Sequence, residues 1–400
     1  MTAPTIEPTI DEPAGRDDLV ALAARIGRDV VGPAAREVDR DARFPHEAIG
    51  ALREARLLSA LVPVELGGYG ADIVTTAAVV EELGRHCAST ALIYAMHNIQ
   101  VACLVRHGHG DVLRSQLRAV AEHQLLLASA TTEVGIGGDV RSSTCAVERD
   151  GDTFRLQKQA PVISYGEHCD AILVTARRDP HAAPSDQVLV FAPRSSTVLE
   201  PRGTWDTLGF RGTCSNGFLL TTEGPVAHLL DSPYSDISAQ TMLPTSHVLW
   251  AAVWLGLARS AVANARSHVR DLARKKPGTT PPQAVRLAEL VGILEQMRAL
   301  VHGAAADYKA DLDDVERLGS MAFALRVNSL KVSTSELLVD VVSRSLHICG
   351  LAGYREDSPL SLGRHLRDAH GAALMIDNER VLGANAQMVL VLKDSDKESG

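Results

Sequence analysis

The sequence predicts a mostly helical protein with a central β-domain. An N-terminal helical domain (18–125) precedes a small β-sandwich or barrel (126–230), and a C-terminal four-helix bundle (235–400) closes the chain. Three observations carry this expectation. Apolar residues recur at i, i+3, i+4 and i+7 from Asp18 to about Leu125. The texture then breaks into short β-prone runs separated by turn residues. From about Ser235 the helical period returns in four long runs with short connections.

Taken in order, residues 1–17 begin MTAPTIEPTIDEPAG, which is acidic and Pro-rich. The segment lacks the basic and apolar regions of a signal peptide and reads as a disordered tail. LVALAARIGRDVVGPAAREV and HEAIGALREARLL are amphipathic helices. Pro63, Gly67, Gly68 and Gly70 punctuate a loop in LVPVELGGYG. IVTTAAVVEELGRHC and STALIYAMHNIQVACLVRHG read as two more helices, both buried. About seven strands follow, in LLLASATT, TCAVERD, DTFRLQKQA, APVIS, AILVTARR, DQVLVFAP and SNGFLLTTE. The bundle helices lie in the runs 245–275, 281–312, 320–350 and 379–393, with KKPGTTPPQ as the first corner.

Composition narrows the function classes. Hydrophobic residues make up 46% of the 400 positions and aromatic ones only 4%, so Ala, Leu and Val fill the interior. A net charge of -9 argues against nucleic acid as a main partner, although Arg274-Lys275-Lys276 suits a phosphate. No uninterrupted apolar run reaches the ~20 residues of a membrane span. The six cysteines are scattered without a CxxC pair, which fits a reducing cytoplasm and gives no metal site.

Five stretches, in this order, resemble motifs of one family: TEVGIGGD (132–139), VISYG (162–166), LGFRGT (208–213), CGLAGY (349–354) and RDA (367–369). They resemble those of the acyl-CoA dehydrogenase superfamily, over nearly the whole chain and on the matching domain plan. The resemblance implies FAD at the domain junction and a homodimer or homotetramer. It places Thr131, Thr132 and Ile163 beside the flavin and the Ser164 hydroxyl near flavin N5. Val162 stands where the family has a tryptophan, so a stacking face is missing. Arg274 matches an arginine that reaches a neighbouring subunit's flavin pyrophosphate, a task suited to a planar fork. His347 and Gly350 match positions on the adenosine side, and Asn378 also falls among the cofactor contacts. Gly138, His247 and Ile376 fall at substrate positions. Each has a plainer reading: loop residues for the Thr132 segment, interior strand residues for Val162 and Ser164, a solvated basic helix end for Arg274, and a buried helix histidine for His347.

The resemblance also exposes a gap. Dehydrogenation requires a base for the α-proton of an acyl thioester. The family's usual glutamate position is Ile376 here, and the alternative on the first bundle helix is Ser246, followed by His247. Neither position is acidic. Asp377 is a candidate moved base, against helix N-capping as the plainer reading. His97 and His370 are candidate acid–bases, against packed or solvated histidines. The implied function is FAD-dependent α,β-dehydrogenation of an acyl thioester on CoA or a carrier protein, with an electron-transferring flavoprotein as acceptor. The alternative is a flavin-dependent monooxygenase of the same fold (a hydroxylase or N-oxygenase) served by a flavin reductase.

Overall fold

The computed structural model describes residues 15–136 and 140–392. Gly138 and most of residues 1–17 therefore lie outside the described residues. Six helices come first: α1 (Arg16–Ile26), α2 (Gly32–Arg40), α3 (His46–Glu54), α4 (Ile73–Gly84), α5 (Ala88–His107) and α6 (Asp111–His123). Asp72 caps α4, its carboxylate accepting the Thr75 N–H at 2.7 Å. α5 is buried around almost its whole circumference, its polar His97, Asn98 and Gln100 included.

Among the described residues seven strands follow: β1 (Leu127–Ala130), β2 (Glu148–Asp150), β3 (Thr153–Ala160), β4 (Ala171–Arg177), β5 (Gln187–Pro193), β6 (Thr197–Gly203) and β7 (Gly217–Pro225). They form two sheets. One is β1-β4-β5, with β1 parallel to β4, and the other is antiparallel β2-β3-β7-β6. β4 and β5 are buried almost throughout, whereas β3 alternates between exposed and buried residues. Two strand assignments differ from the sequence reading. Ala160 of APVIS ends β3 and the rest is a bend and turn, because Pro161 has no N–H to offer a ladder. TVLEPRG is a strand that the sequence reading missed. It lies at a sheet edge with a register shift between Pro201 and Gly203, where proline is tolerated.

The C-terminal part comprises α7 (Tyr234–Ile237), α8 (Leu243–Lys275), α9 (Gln283–Asp311), α10 (Val315–Leu318), α11 (Met321–Cys349), α12 (Leu351–Tyr354), α13 (Gly363–Gly371) and α14 (Asn378–Val391). α8, α9, α11 and α14 are the long bundle helices, with α8 packed on α11, α9, α4 and α5. The α4–α8 crossing needs glycine, since a Cβ on Gly84 would stand 2.8 Å from the Val253 carbonyl oxygen. Two helical stretches, Ala88–His107 and Tyr234–Lys275, are long and apolar enough to cross a membrane, but both are mostly buried inside the protein. This packing brings α5, α8, the β-domain and the α13 turn to one junction.

Candidate active site

A cleft of about 580 Å³ opens at that junction. Its helical side carries Leu92, Met96, Ile99 and Gln100 from one face of α5, and Leu243, Ser246 and Trp250 from α8. The β-domain contributes Thr131, Thr132, Val162 and Ser164, with the turn Leu208–Phe210 beside them. His370, Leu374, Met375 and Ile376, from α13 and the turn after it, complete the wall. No carboxylate lines the cleft among the described residues.

The β-domain side presents a row of hydroxyls. Thr132 Oγ1 donates to the Val162 carbonyl at 3.2 Å. Ser215 donates to Ser164 at 2.8 Å and lies 2.8 Å from the Thr213 hydroxyl. The Phe210 carbonyl ends the chain, with Thr213 at 2.9 Å and the Trp205 indole N–H at 3.1 Å. Behind the row, Glu133 accepts from the Ser143 hydroxyl at 2.6 Å and the Cys145 N–H at 2.7 Å, and it pairs with buried Lys158 at 3.5 Å. These contacts tie both ends of the loop after Thr132 to the sheet.

Residues 15–124 match the acyl-CoA dehydrogenase N-terminal domain, and residues 237–375 match the C-terminal domain, together more than half of the chain. The chain belongs to the acyl-CoA dehydrogenase family. It is 28% identical to cyclohex-1-ene-1-carbonyl-CoA dehydrogenase of Geobacter metallireducens, over 85% of this chain and 88% of that one. Among solved structures it resembles butyryl-CoA dehydrogenase from Megasphaera elsdenii, with TM-score 0.81 and 21% identity over 96% of this chain and 100% of the other. It also resembles dibenzothiophene monooxygenase (TdsC) from Paenibacillus sp. A11-2, with TM-score 0.78 and 19% identity over 93% and 96%. Both structural likenesses are likenesses of fold.

The flavin cofactor of this acyl-CoA dehydrogenase family member is FAD, and the cleft fits its ring. Neutral hydroxyls on Thr131, Thr132 and Ser164 match the polar edge of the ring, and the apolar walls match its faces. Trp250 lines the same cleft, and its buried indole N–H has no protein partner. Ile163 does not line the cleft; it is buried, its N–H bonded to the Asn216 carbonyl at 2.9 Å. Arg274 is exposed at the end of α8 beside Asp271, and His347 and Gly350 are exposed at the end of α11. None of these three lines the cleft. Gly350 has φ +58°, a conformation open mainly to glycine.

The structure separates the candidate bases. Asp377 is exposed, does not line the cleft, and caps α14 by accepting the Glu379 N–H at 3.2 Å. Its observed contact is that of a helix cap. Asp377→Asn is expected to change stability by less than about 0.5 kcal/mol and to leave thioester-dependent flavin bleaching within about 2-fold of wild type, because Asn caps as well as Asp. Thermal unfolding and stopped-flow absorbance measure both.

His97 is corrected as well. It is fully buried, with Nε2 donating to the Leu58 carbonyl at 2.6 Å and Nδ1 accepting the Leu127 N–H at 3.0 Å. Both nitrogens are spent, Nδ1 pinning α5 to β1 and Nε2 pinning it to the turn at Leu58, and burial lowers the pKa to about 4. His247 is buried outside the cleft with Nδ1 3.2 Å from the Val327 carbonyl. Asn378 belongs to a buried knot with Lys331 and Ser335, away from the cleft surface. His370 and Ile376 do face the cleft.

Lys331 was missed by sequence reasoning. It is fully buried on α11, and its ammonium donates to the Ala373 carbonyl at 3.3 Å, to the Ile376 carbonyl, and to Asn378 Oδ1 at 2.6 Å. Three donors meet three oxygens, so the turn carrying Leu374, Met375 and Ile376 is held against α11. Burial pulls its pKa down to about 8, against the opposing charge of Asp377. Its place in the period was a usable signal, four residues after buried Val327 and seven before buried Leu338.

Proposed function

We propose that the protein catalyses α,β-dehydrogenation of an acyl thioester, with His370 as the proton acceptor. The observation that carries the assignment is the cleft itself: apolar walls, a hydroxyl edge suited to flavin, and one imidazole among the described lining residues. His370 is the histidine among the described cleft residues, and its exposed side lets an accepted proton pass on to water. Bound FAD supplies the acceptor for the hydride that leaves the β-carbon. Leu92, Met96 and Ile99 exclude water from the acyl chain, and the Lys331 clamp fixes the turn beside His370.

The acyl carrier is CoA or a carrier protein, and an electron-transferring flavoprotein reoxidises the enzyme. A homodimer or homotetramer in the cytoplasm completes the reading. It is supported by exposed Leu351 and Tyr354 after α11, by Leu382, Val389 and Leu390 on α14, and by six cysteines without a disulfide.

A second reading, a flavin-dependent monooxygenase, is favoured by the absence of a carboxylate from the cleft among the described residues. Anaerobic mixing of the oxidised holoprotein with a panel of acyl thioesters separates the two. Flavin bleaching with release of an enoyl thioester is the expected result. No bleaching with any thioester, together with incorporation of isotopic oxygen from O₂ into a product when a reductase supplies electrons, would replace the first reading with the second.

A further inference from the structure

The hydroxyl row on the β-domain side of the cleft has a direction. Each hydroxyl has one hydrogen to give and lone pairs to receive with. Thr132 spends its hydrogen on the Val162 carbonyl, so it offers the cleft only lone pairs. Ser215 spends its hydrogen on Ser164 at 2.8 Å. The contact between Ser215 and Thr213, also 2.8 Å, therefore takes its hydrogen from Thr213. The Thr213 hydroxyl also lies 2.9 Å from the Phe210 carbonyl. That oxygen already receives the Trp205 indole N–H and the Thr213 backbone N–H, both at 3.1 Å, which leaves the hydroxyl free to turn to Ser215. Ser164 is then an acceptor on its inner side and keeps its own hydrogen, which no described residue accepts. Thr213 and Ser215 are 1% and 3% exposed, so water does not replace either link. Ser164 is half-buried and lines the cleft, where a ligand meets it.

The chain thus runs from Thr213 through Ser215 to Ser164 and leaves one hydrogen for the cleft. Along its N5 edge the oxidised flavin ring offers two acceptors, N5 and O4. Hydride addition turns N5 into an N–H donor. Hydrogen bonds from the protein to ring nitrogens tune a flavin's electronics. We propose that Thr213 and Ser215 are positioning residues that hold Ser164 as a hydrogen donor to N5 of the bound flavin, favouring the oxidised ring over the reduced one. Each hydroxyl keeps its own hydrogen, so nothing is transferred along the chain and only the direction of its bonds matters. Burial strengthens the final donor, because each bond of the chain polarises the next. The inference rests on FAD in the cleft and not on which reaction follows.

The test measures the midpoint potential of the holoprotein by anaerobic spectroelectrochemistry, and the Kd of oxidised FAD by equilibrium dialysis. No thioester enters either measurement, so the outcome is separate from that of the dehydrogenase reading. Ser215→Ala removes the hydrogen that Ser164 accepts and frees a lone pair for the N–H of the reduced ring. It is expected to raise the reduced-to-oxidised affinity ratio by ~10-fold, the worth of one hydrogen bond, which is a rise of about 30 mV for a two-electron couple. Oxidised FAD should then bind more weakly than in the wild type. Ser215→Thr keeps the hydroxyl and should leave the ratio within ~2-fold of wild type. Thr213→Val removes only the first donor, so its shift should have the same sign and a smaller size, about 2–3-fold. That variant carries the test if Ser215→Ala does not fold. In a Ser164→Ala background the Ser215→Ala shift should vanish, because Ser215 acts through Ser164. An unchanged or lowered ratio in Ser215→Ala, or in Thr213→Val where it stands in, overturns the proposal. A shift of full size in the Ser164→Ala background also overturns it, since Ser215 would then act by packing alone.

Discussion

Lowering the pH from about 7 to about 4 is expected to unfold the protein. Four buried histidines resist protonation strongly in the native state. Burial lowers the pKa of His97, His107 and His247 to about 4, and that of His365 to about 3. An unfolded histidine titrates near 6.5. Between those values the unfolded chain binds the extra protons, so stability is lost as the pH falls below about 6.5. Each tenfold loss of proton affinity is worth roughly 1.4 kcal/mol, so the four together cost on the order of 10 kcal/mol, the size of a whole protein's stability. Asp368 opposes them. Burial raises its carboxyl pKa to about 6, so the native state takes up that proton first. This returns only about 3 kcal/mol. His97 cannot adapt, because a protonated Nδ1 would face the Leu127 N–H donor to donor. Circular dichroism across the titration measures the loss. Retention of the native near-UV signal at about pH 4 would show that the histidines are not the acid-sensitive element.

His370→Gln is expected to slow thioester-dependent flavin bleaching by about 10²–10⁴-fold, the usual worth of a positioned base. FAD retention is expected to persist, since the hydroxyl edge on Thr131, Thr132 and Ser164 is untouched. Ile376→Glu in the same background should recover part of the rate. Ile376 faces the cleft, and Lys331 holds its carbonyl, so a carboxylate introduced there would be presented to the cleft from a braced turn. Stopped-flow absorbance reads both variants. Bleaching by His370→Gln at the wild-type rate would remove His370 from the mechanism. Failure of the double variant alone would leave His370 in place and show that the turn cannot present a carboxylate to the α-carbon.

The order of helices, strands and bundle was legible because each class carries its own period. The runs 245–275 and 320–350 sustain helical spacing over many turns, and α8 and α11 occupy them. APVIS and TVLEPRG were misread because strand assignment depends on which neighbour supplies the hydrogen bonds. Pro161 cannot join a ladder, and β6 tolerates Pro201 only because it lies at an edge. The hydroxyl edge was legible in part. Thr132, Ser164 and Thr213 stand in motifs, whereas Ser215 joins them only through hydrogen bonds across the β-domain.

By itself, then, the sequence determined the fold class, the family, the flavin-facing motifs and the absence of an acid at Ile376 and Ser246, since these depend on residue identity and local spacing. Tertiary structure alone separates the surroundings of Asp377, His97 and His370. All three are residue types able to move a proton, and only packing shows that Asp377 points to solvent as a helix cap, that both nitrogens of His97 are consumed by backbone, and that His370 meets the cleft. It also decided the fate of Lys331. Burial of a charge is set by which oxygens of other segments surround it, and those at residues 373–378 are brought to α11 by the folded chain and not by sequence neighbourhood.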